Sequence, residues 1–221
     1  MSISPRSPKL IKGGIVLMDS SSGAVLRVIA LQYNPSSLTR SLQAQWYEPQ
    51  QGGDRSERLR IKGPPVETIK LEAEIDATDG LEQPDQNRTT AEFGIQPQLA
   101  ALETLVYPTS RQLEANNSLA SVGTLEIVPM EAPLTLFVWS KQRIVPVRIT
   151  DFSITEEFFD TSLNPIQAKV SLGFRVLTVD DLGFQHRGGQ FFMHYHKRKE
   201  ELSRMIGNAE LGSLGVERLP V

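Results

Sequence analysis

The chain has 221 residues, of which 39% are hydrophobic and 22% charged, and it contains no cysteine. This composition is typical of a globular protein, and the absence of cysteine excludes disulfide scaffolds, thiolate metal sites and cysteine nucleophiles. The net charge is −3, so the chain has no excess of basic side chains that could neutralise the phosphate backbone of a nucleic acid. We therefore expect no nucleic-acid partner. We also expect neither a signal peptide nor a membrane span, because no sufficiently long apolar run is present.

The first part of the chain predicts a flexible arm followed by three strands. Residues 1–14 are polar and basic, which is typical of a flexible arm. Residues 15–18 and 25–33 are β-rich runs on either side of a turn-forming segment, and they predict a hairpin. Polar side chains alternate through residues 38–46, which predicts a third strand with one face in water.

A long polar segment then precedes the clearest alternation in the sequence. Residues 47–63 carry four basic and three acidic side chains, and a connection of this kind is either a solvated loop or a functional one. Residues 69–76 alternate between apolar and charged side chains, which predicts an antiparallel strand with one buried face. The charged face of this strand carries Lys70, Glu72, Glu74 and Asp76.

The middle of the chain predicts one helix. Apolar side chains recur at spacings of three and four within residues 97–107, and Pro108 ends the pattern. The flanking residues 79–90 are rich in turn formers, and residues 109–121 have the composition of a disordered segment. Residues 124–128 predict a weak strand.

The last third predicts three strands and a terminal helix. Residues 133–139, 143–159 and 166–178 are rich in β-branched and aromatic side chains. Residues 190–206 carry a partial apolar stripe and a charged belt, which predicts a helix, and residues 207–221 are typical of a flexible tail.

Together these patterns predict a mainly β (α+β) chain: an antiparallel barrel or sandwich with one internal helix and a C-terminal helix. We expect Trp46 and Trp139 in its core, as is usual for large aromatic side chains on strand faces. The predicted divisions are a flexible arm at 1–14, a β domain at 15–180, a helix at 181–206 and a flexible tail at 207–221.

Three histidines are the strongest indication of a metal site. His186, His194 and His196 fall close together in the sequence. On a helix, however, residues two apart point about 200° away from each other, so one ion would not reach both His194 and His196. We therefore expect solvated histidines, and a metal-dependent hydrolase stays an alternative.

No other pattern indicates catalysis. Adjacent carboxylates at 156–157, 180–181 and 200–201 diverge on a strand or a helix, although a glycosidase could draw its carboxylates from distant strands. Nucleophile-elbow, phosphate-loop and dinucleotide-binding motifs are absent from the sequence. We expect no enzyme activity and no cofactor, which leaves an interaction protein or a ligand-binding barrel.

Several segments, in their order and spacing, resemble a known family. They are Leu31 to Pro35 leading to Trp46, Gly63 to Pro65 with Ile69 to Asp79, Pro133 to Trp139, and Val147 to Thr178. The most specific of them is Phe158 to Val170, FFDTSLNPIQAKV. The chain resembles, over about residues 10–205, the tube-domain proteins of contractile injection systems, which are phage-tail-like particles. The resemblance is to the baseplate adaptor, which carries a LysM module in its long forms.

The resemblance implies a structural subunit with a barrel-like tube domain. It would form a hexameric ring at the baseplate, between the spike complex and the inner tube, with strands of neighbouring subunits joined edge to edge. Its implied partners are copies of itself, inner-tube proteins, and spike, hub and other baseplate proteins. Assembly in the cytoplasm, without membrane insertion of its own, would precede incorporation into the particle. The segment after residue 206 is too short for a LysM module, so we expect no peptidoglycan binding.

Within this interpretation, two groups of residues are candidate assembly contacts. Lys70, Glu72, Glu74 and Asp76 would line either the lumen or the outer face of the ring and make that face negative, and our hypothesis is the lumen. The expected partner contacts are Arg55, Arg58 and Arg60 toward an adjacent ring, and Phe191, Tyr195 and Met205 toward a baseplate component. The alternatives are an inner-tube or tube-initiator ring of the same particle, and a monomeric ligand-binding barrel with an enclosed apolar cavity.

Overall fold

The computed structural model describes residues 10–47, 59–121, 132–207 and 209–220. Within these ranges the strands are β1 (Gly14–Met18), β2 (Val25–Ala30), β3 (Leu38–Trp46), β4 (Ile61–Asp76), β5 (Leu134–Ser140), β6 (Arg143–Phe159) and β7 (Pro165–Val176). The helices are α1 (Thr78–Leu81), α2 (Arg88–Phe93), α3 (Gln96–Glu103), α4 (Ser110–Ser121), α5 (Val179–Leu182) and α6 (Arg187–Arg204). A 3₁₀ turn follows at Leu211–Leu214.

The strands form one antiparallel sheet in the order β2-β1-β5-β6-β7-β4-β3. β6 joins two parts of this sheet, because its first residues pair with β5 whereas residues 147–159 pair with β7. We call β3, β4, β7 and residues 147–159 of β6 the four-stranded half-sheet. The sheet does not close into a barrel, which corrects the barrel expectation. Within the described chain, β2 and β3 each have a neighbouring strand on one side only.

The two parts of the sheet pack on each other through aromatic and aliphatic side chains. The ring of Phe137 lies 5.9 Å from that of Trp139 and 5.2 Å from that of Phe174, centroid to centroid. Trp139 is partly buried against this core, whereas Trp46 is 52% exposed, so the expectation for Trp46 is wrong. Trp46 ends an edge strand, and an edge strand has a neighbour on one side only to cover its side chains.

The strands predicted within the described ranges are confirmed, and so is the alternation of β4 and β7, whereas side chains on both faces of β3 are exposed. The hairpin is β1 and β2, the third strand is β3, and the three late strands are β5, β6 and β7. Within residues 69–76 of β4 the apolar side chains are buried, whereas Lys70, Glu72 and Glu74 between them are exposed, as the alternation predicted. The predicted weak strand at 124–128 lies outside the described residues.

The helical content differs from the prediction of one internal helix. The predicted helix is α3, which is shorter than expected and packs Leu99 and Leu102 into the core. α1, α2 and α4 occupy segments predicted to be turns or disordered. α1 and α2 span less than two turns and bury no side chain, so they leave no apolar periodicity in the sequence.

The predicted C-terminal helix is confirmed as α6. It begins after His186, whose ring nitrogen Nδ1 accepts a hydrogen bond from the backbone of Gly188 at 3.1 Å. Phe192 and Tyr195 are buried on its inner side. None of the helices in the described ranges is both long and apolar enough to cross a membrane.

Candidate assembly surfaces

The four-stranded half-sheet presents a polar face on the side away from the core. The pairing register of β4 and β7 decides which side chains are neighbours on this face. Lys70 lies opposite Gly173, and Glu74 lies opposite Lys169. Lys70, Glu72 and Glu74 are exposed there, and Lys70 and Glu72 line an open groove that runs across β4, β6 and β7. This is the face that the sequence assigned to a lumen.

The charge of this face is mixed. The register brings acidic and basic side chains of β6 and β7 beside those of β4. The acidic residues are Glu72, Glu74, Asp76, Asp151 and Glu157, and the basic residues are Lys70, Arg148, Lys169 and Arg175. The hydrogen bond to Glu157, and then its charge, raise the pKa of Lys169, and the two side chains form a 3.0 Å ion pair. The expectation of a negative face considered β4 alone; with β6 and β7 included, the acidic excess on the face is small.

Asp76 differs from the other residues of this face because its carboxylate is held by its neighbours. It accepts hydrogen bonds from the backbone N–H of Thr78 at 2.6 Å and from the side chain of Gln167. Partial burial opposes ionisation, but these hydrogen bonds outweigh it and hold the pKa of Asp76 below its usual value. Gln32 also bonds the backbone of Asp76 in both directions, at 2.7 and 3.0 Å.

Free strand edges flank the half-sheet on both sides. Within the described chain, β3 pairs only with β4, and residues 147–159 of β6 pair only with β7. Leu42 on β3 is 52% exposed although it shares the core-facing side of the strand with Arg40. Backbone groups on such edges are available to another strand.

The turn between β6 and β7 is an exposed apolar tip with a fixed conformation. Phe158 and Leu163 have φ angles of 54° and 64°, an unusual conformation for large side chains, and both are exposed. Asp160 holds the turn by accepting bonds from the backbone N–H groups of Ser162 and Asn164 at 2.7 and 2.8 Å. The side-chain and backbone hydrogen bonds from Asn164 lower the pKa of Asp160.

A buried cluster of ionic groups connects α6 to β3 and β4. Glu67 is only 3% exposed and lies 2.6 Å from Arg40. Its carboxylate accepts a hydrogen bond from the Tyr195 hydroxyl at 3.1 Å, and the Lys199 ammonium lies 3.5 Å away. Arg40 also donates to the Tyr195 hydroxyl at 2.8 Å. We call these four residues the Glu67 cluster.

The predicted partner contacts differ from one another in how exposed they are. Tyr195 lies in the core with its hydroxyl in the Glu67 cluster, so it is corrected from a partner contact to a structural residue. Met205 and Arg60 are exposed, and Phe191 is half-buried. Arg55 and Arg58 lie outside the described residues.

The histidines do not converge. His194 is exposed on α6, and His196 stacks on Phe192 and lies 3.3 Å from Glu200. His186 caps the start of α6. In the described part of the chain, no three potential ligand side chains are grouped as a metal ion requires.

Tyr195 predicts a pH dependence of stability at alkaline pH. Burial, followed by the charge of Glu67, raises the pKa of Tyr195 to about 12. The unfolded chain releases this proton near pH 10, so stability is full below pH 10 and is lost as the pH rises toward 12. We expect the stability advantage of the wild type over Tyr195→Phe to shrink by about 2–3 kcal/mol between pH 9.5 and 12.

Urea unfolding of the two proteins at each pH measures this difference. Burial lowers the pKa of Lys199, against the attraction of Glu67. Lys199 is present in both proteins, so its own titration largely cancels in the comparison. An advantage that stays constant up to pH 12 contradicts the assignment of the raised pKa to Tyr195.

Comparison with known proteins identifies the family of the chain. Residues 14–182 match the family described as contractile injection system tube protein. Among solved structures, a chain from the tail of an empty GTA particle with C6 symmetry is 14% identical, with a TM-score of 0.30. That match covers 75% of this chain and 90% of the other, and its low score supports no inference. No curated protein sequence matches significantly. On the family match, which spans most of its length, the chain belongs to the contractile injection system tube proteins.

Proposed function

We propose that the chain forms a hexameric ring at the baseplate of a contractile injection particle, where it joins the spike complex to the inner tube. The observation that carries the proposal is a four-stranded half-sheet with one polar face and a free edge on each side. Free edges of long strands favour aggregation in a monomer, and ring closure removes them. Family membership supports the same kind of assembly.

In this ring the polar face lines the lumen. The exposed side chains of Lys70, Glu72 and Glu74 fit this position because they stay hydrated and leave no apolar surface in the channel. These side chains lie among basic side chains of β6 and β7, so the electrostatic field in the lumen is weak. Charged cargo of either sign would therefore pass without strong binding.

The adaptor role is favoured by the part of the chain beyond the family match. The match ends at residue 182, whereas α6 follows from residue 187 and is packed against the sheet through the Glu67 cluster. We therefore assign the tube-like domain to residues 15–180 and propose that 181–206, which pack against it, carry the docking surface for a baseplate component. Met205 and Ile206 leave an exposed apolar end on it, at 68% and 78% exposure.

The second candidate is an inner-tube or tube-initiator ring, which would use the same free edges. Electron microscopy of the purified chain, alone and mixed with the tube and spike subunits, separates the two candidates. The adaptor forms single rings that bind both subunits and do not stack on themselves. Long tubes formed by the chain alone contradict the adaptor role and favour the inner-tube role.

The apolar tip between β6 and β7 is our candidate for contact with the adjacent tube ring. Leu163→Gly removes an exposed side chain at a position where the positive φ is strained for leucine and free for glycine. We expect the unfolding free energy to stay within about 1 kcal/mol of the wild type. Binding to the tube subunit, measured by co-sedimentation, should weaken at least several-fold.

Thr161→Ser, in the same turn, is the matched control and should bind as the wild type does. Unchanged tube binding by Leu163→Gly shows that the tip is not a contact.

A further inference from the structure

We propose that the ring is electrically polarised along its axis, with an acidic end that meets the inner tube and a basic end that meets the spike complex. This inference rests on the proposed ring, and it names the charge that each neighbour carries where it meets the chain. The polar face of the half-sheet is close to neutral as a whole, but its acidic and basic side chains are distributed unevenly along the strands.

The pairing registers of β4, β6 and β7 divide the polar face into five rows that run across the three strands. The first row contains Arg148 and Arg175 and no acidic side chain. The fifth row contains Asp76 and Glu157 and no basic side chain. Each of the three rows between them sums to zero or to one negative charge. The end rows lie eight residues apart along the strands, which corresponds to about 27 Å.

The segments beyond the end rows increase this contrast. Beyond the acidic row, the chain places Asp79 in α1 and Asp160 in the turn between β6 and β7. Beyond the basic row it places two basic and two acidic side chains, which are Arg60, Lys62, Asp180 and Asp181. The additions at the basic end cancel, whereas the acidic end gains two further carboxylates.

The charged groups of both end rows are accessible to a neighbour. Arg148 is exposed, and it has no ion pair within the ranges that the structure describes. Arg175 is 32% exposed beside its ion pair with α5. At the other end, Glu157 is 34% exposed beside its ion pair with Lys169. Asp76 stays ionised because, despite its partial burial, its hydrogen bonds keep its pKa below the usual value.

The two surfaces proposed above for neighbours lie at opposite ends of these strands. The turn between β6 and β7, our candidate tube contact, follows directly after the acidic row, since Phe159 pairs with Pro165 just beyond Glu157. The helix α6 is anchored at the other end, because Glu67 precedes Thr68 of the basic row on β4. The acidic end therefore faces the tube, and the basic end faces the spike.

This polarity defines the chemistry of both neighbours. Rotation about the ring axis places each row next to the same row of the next subunit, so every row becomes a belt around the lumen. Like charges that face each other across an interface are costly, and opposite charges favour association. The tube subunit should therefore present lysine or arginine side chains to the acidic belt, and the spike subunit should present carboxylates to the basic belt. The weak field of the lumen applies to the three rows between them.

Neutralising one end at a time tests the polarity. Glu157→Gln removes a charge from the acidic end and keeps an acceptor for Lys169, and Arg148→Gln removes a charge from the basic end. We expect Glu157→Gln to weaken binding of the tube subunit about fivefold or more, because the charge is repeated in every subunit of the ring. Arg148→Gln should weaken binding of the spike subunit by a similar factor. Each variant should leave the other neighbour unaffected. Co-sedimentation of the full chain with each neighbour, at low ionic strength to limit screening, measures both affinities.

Glu72→Gln is the matched control, because it removes the same charge from the middle row of the same face. It should bind both neighbours as the wild type does. Asp79→Asn and Arg60→Gln remove exposed charges beyond the two end rows, and they should give the same selectivity as Glu157→Gln and Arg148→Gln. They repeat the test outside the paired rows if one of the first variants fails to fold.

The outcomes separate this inference from the proposed function. Loss of tube binding from the acidic end and of spike binding from the basic end supports the polarity. The opposite selectivity, equal losses of both neighbours, or binding like that of Glu72→Gln overturns it and leaves the ring standing. Rings that stack on one another and separate in both variants also overturn it, since a second copy would then occupy both ends. If no ring forms with the tube and spike subunits present, the proposed function fails and the polarity fails with it.

Discussion

Glu67→Ala is expected to lower the free energy of unfolding by about 3–5 kcal/mol, which is the usual cost of breaking a buried ion pair. Glu67 is nearly inaccessible, and it is the acceptor for Arg40, Tyr195 and Lys199. Removal of its carboxylate leaves two positive charges facing each other in a partly buried site. Because Tyr195 and Lys199 belong to α6, the loss should also loosen this helix from the sheet.

Two further variants show whether the loss of stability in Glu67→Ala comes from the buried charge of Glu67. Glu67→Gln removes the charge but keeps a hydrogen-bond acceptor for Tyr195, so we expect a smaller loss than for alanine. Glu72→Ala, on the same strand but exposed, should change stability by less than about 0.5 kcal/mol. Urea unfolding gives the free energies, and hydrogen exchange reports on α6. A Glu67→Ala protein as stable as Glu72→Ala would show that apolar packing alone holds the helix.

Leu42→Lys is expected to abolish ring assembly while leaving the subunit folded. The side chain is 52% exposed in the isolated chain, so we expect the unfolding free energy to change by no more than about 0.5 kcal/mol. In a ring closed through the free edge of β3, each subunit contact would lose about 1–1.5 kcal/mol of apolar burial, because about half of this side chain is still exposed in the subunit, and would bring a lysine to the strand edge. That loss corresponds to roughly tenfold weaker association at each subunit contact, and it is repeated at every contact around the ring.

Val28→Lys is the matched control for this variant. Val28 is also an exposed apolar residue on an edge strand, but it lies on β2, outside the four-stranded half-sheet. The mass in solution of both variants, measured by light scattering at several concentrations, decides the outcome. A ring that survives Leu42→Lys and is lost with Val28→Lys would move the subunit contact to β2.

Much of the sheet could be predicted because burial imposes a period of two on each strand. The alternation of β4 shows both its secondary structure and its solvent-facing side. The same period indicates that Glu67 points toward the core, because it lies two and four residues before the buried Ile69 and Leu71 and is therefore on the same face of the strand. A buried acidic side chain needs partners, but those partners are on β3 and α6, and their proximity depends on the fold.

The helices that were not predicted, α1, α2 and α4, leave weaker signals in the sequence. α4 has too few apolar side chains for a clear stripe, yet Thr109 and Gln112 form the reciprocal hydrogen bonds of a helix start. The spacing of a threonine and a glutamine three residues later is a known signature that could have predicted this helix. The order of strands, and therefore the free edges and the exposure of Trp46, has no local signal in the sequence.

The mass of the purified chain, alone and with its tube and spike neighbours, tests the central claim most directly. Light scattering is expected to show growth from the 24.6 kDa chain to a hexamer that retains both neighbours. A chain that stays monomeric at every concentration and with both neighbours present would contradict the ring and favour a monomeric ligand-binding protein.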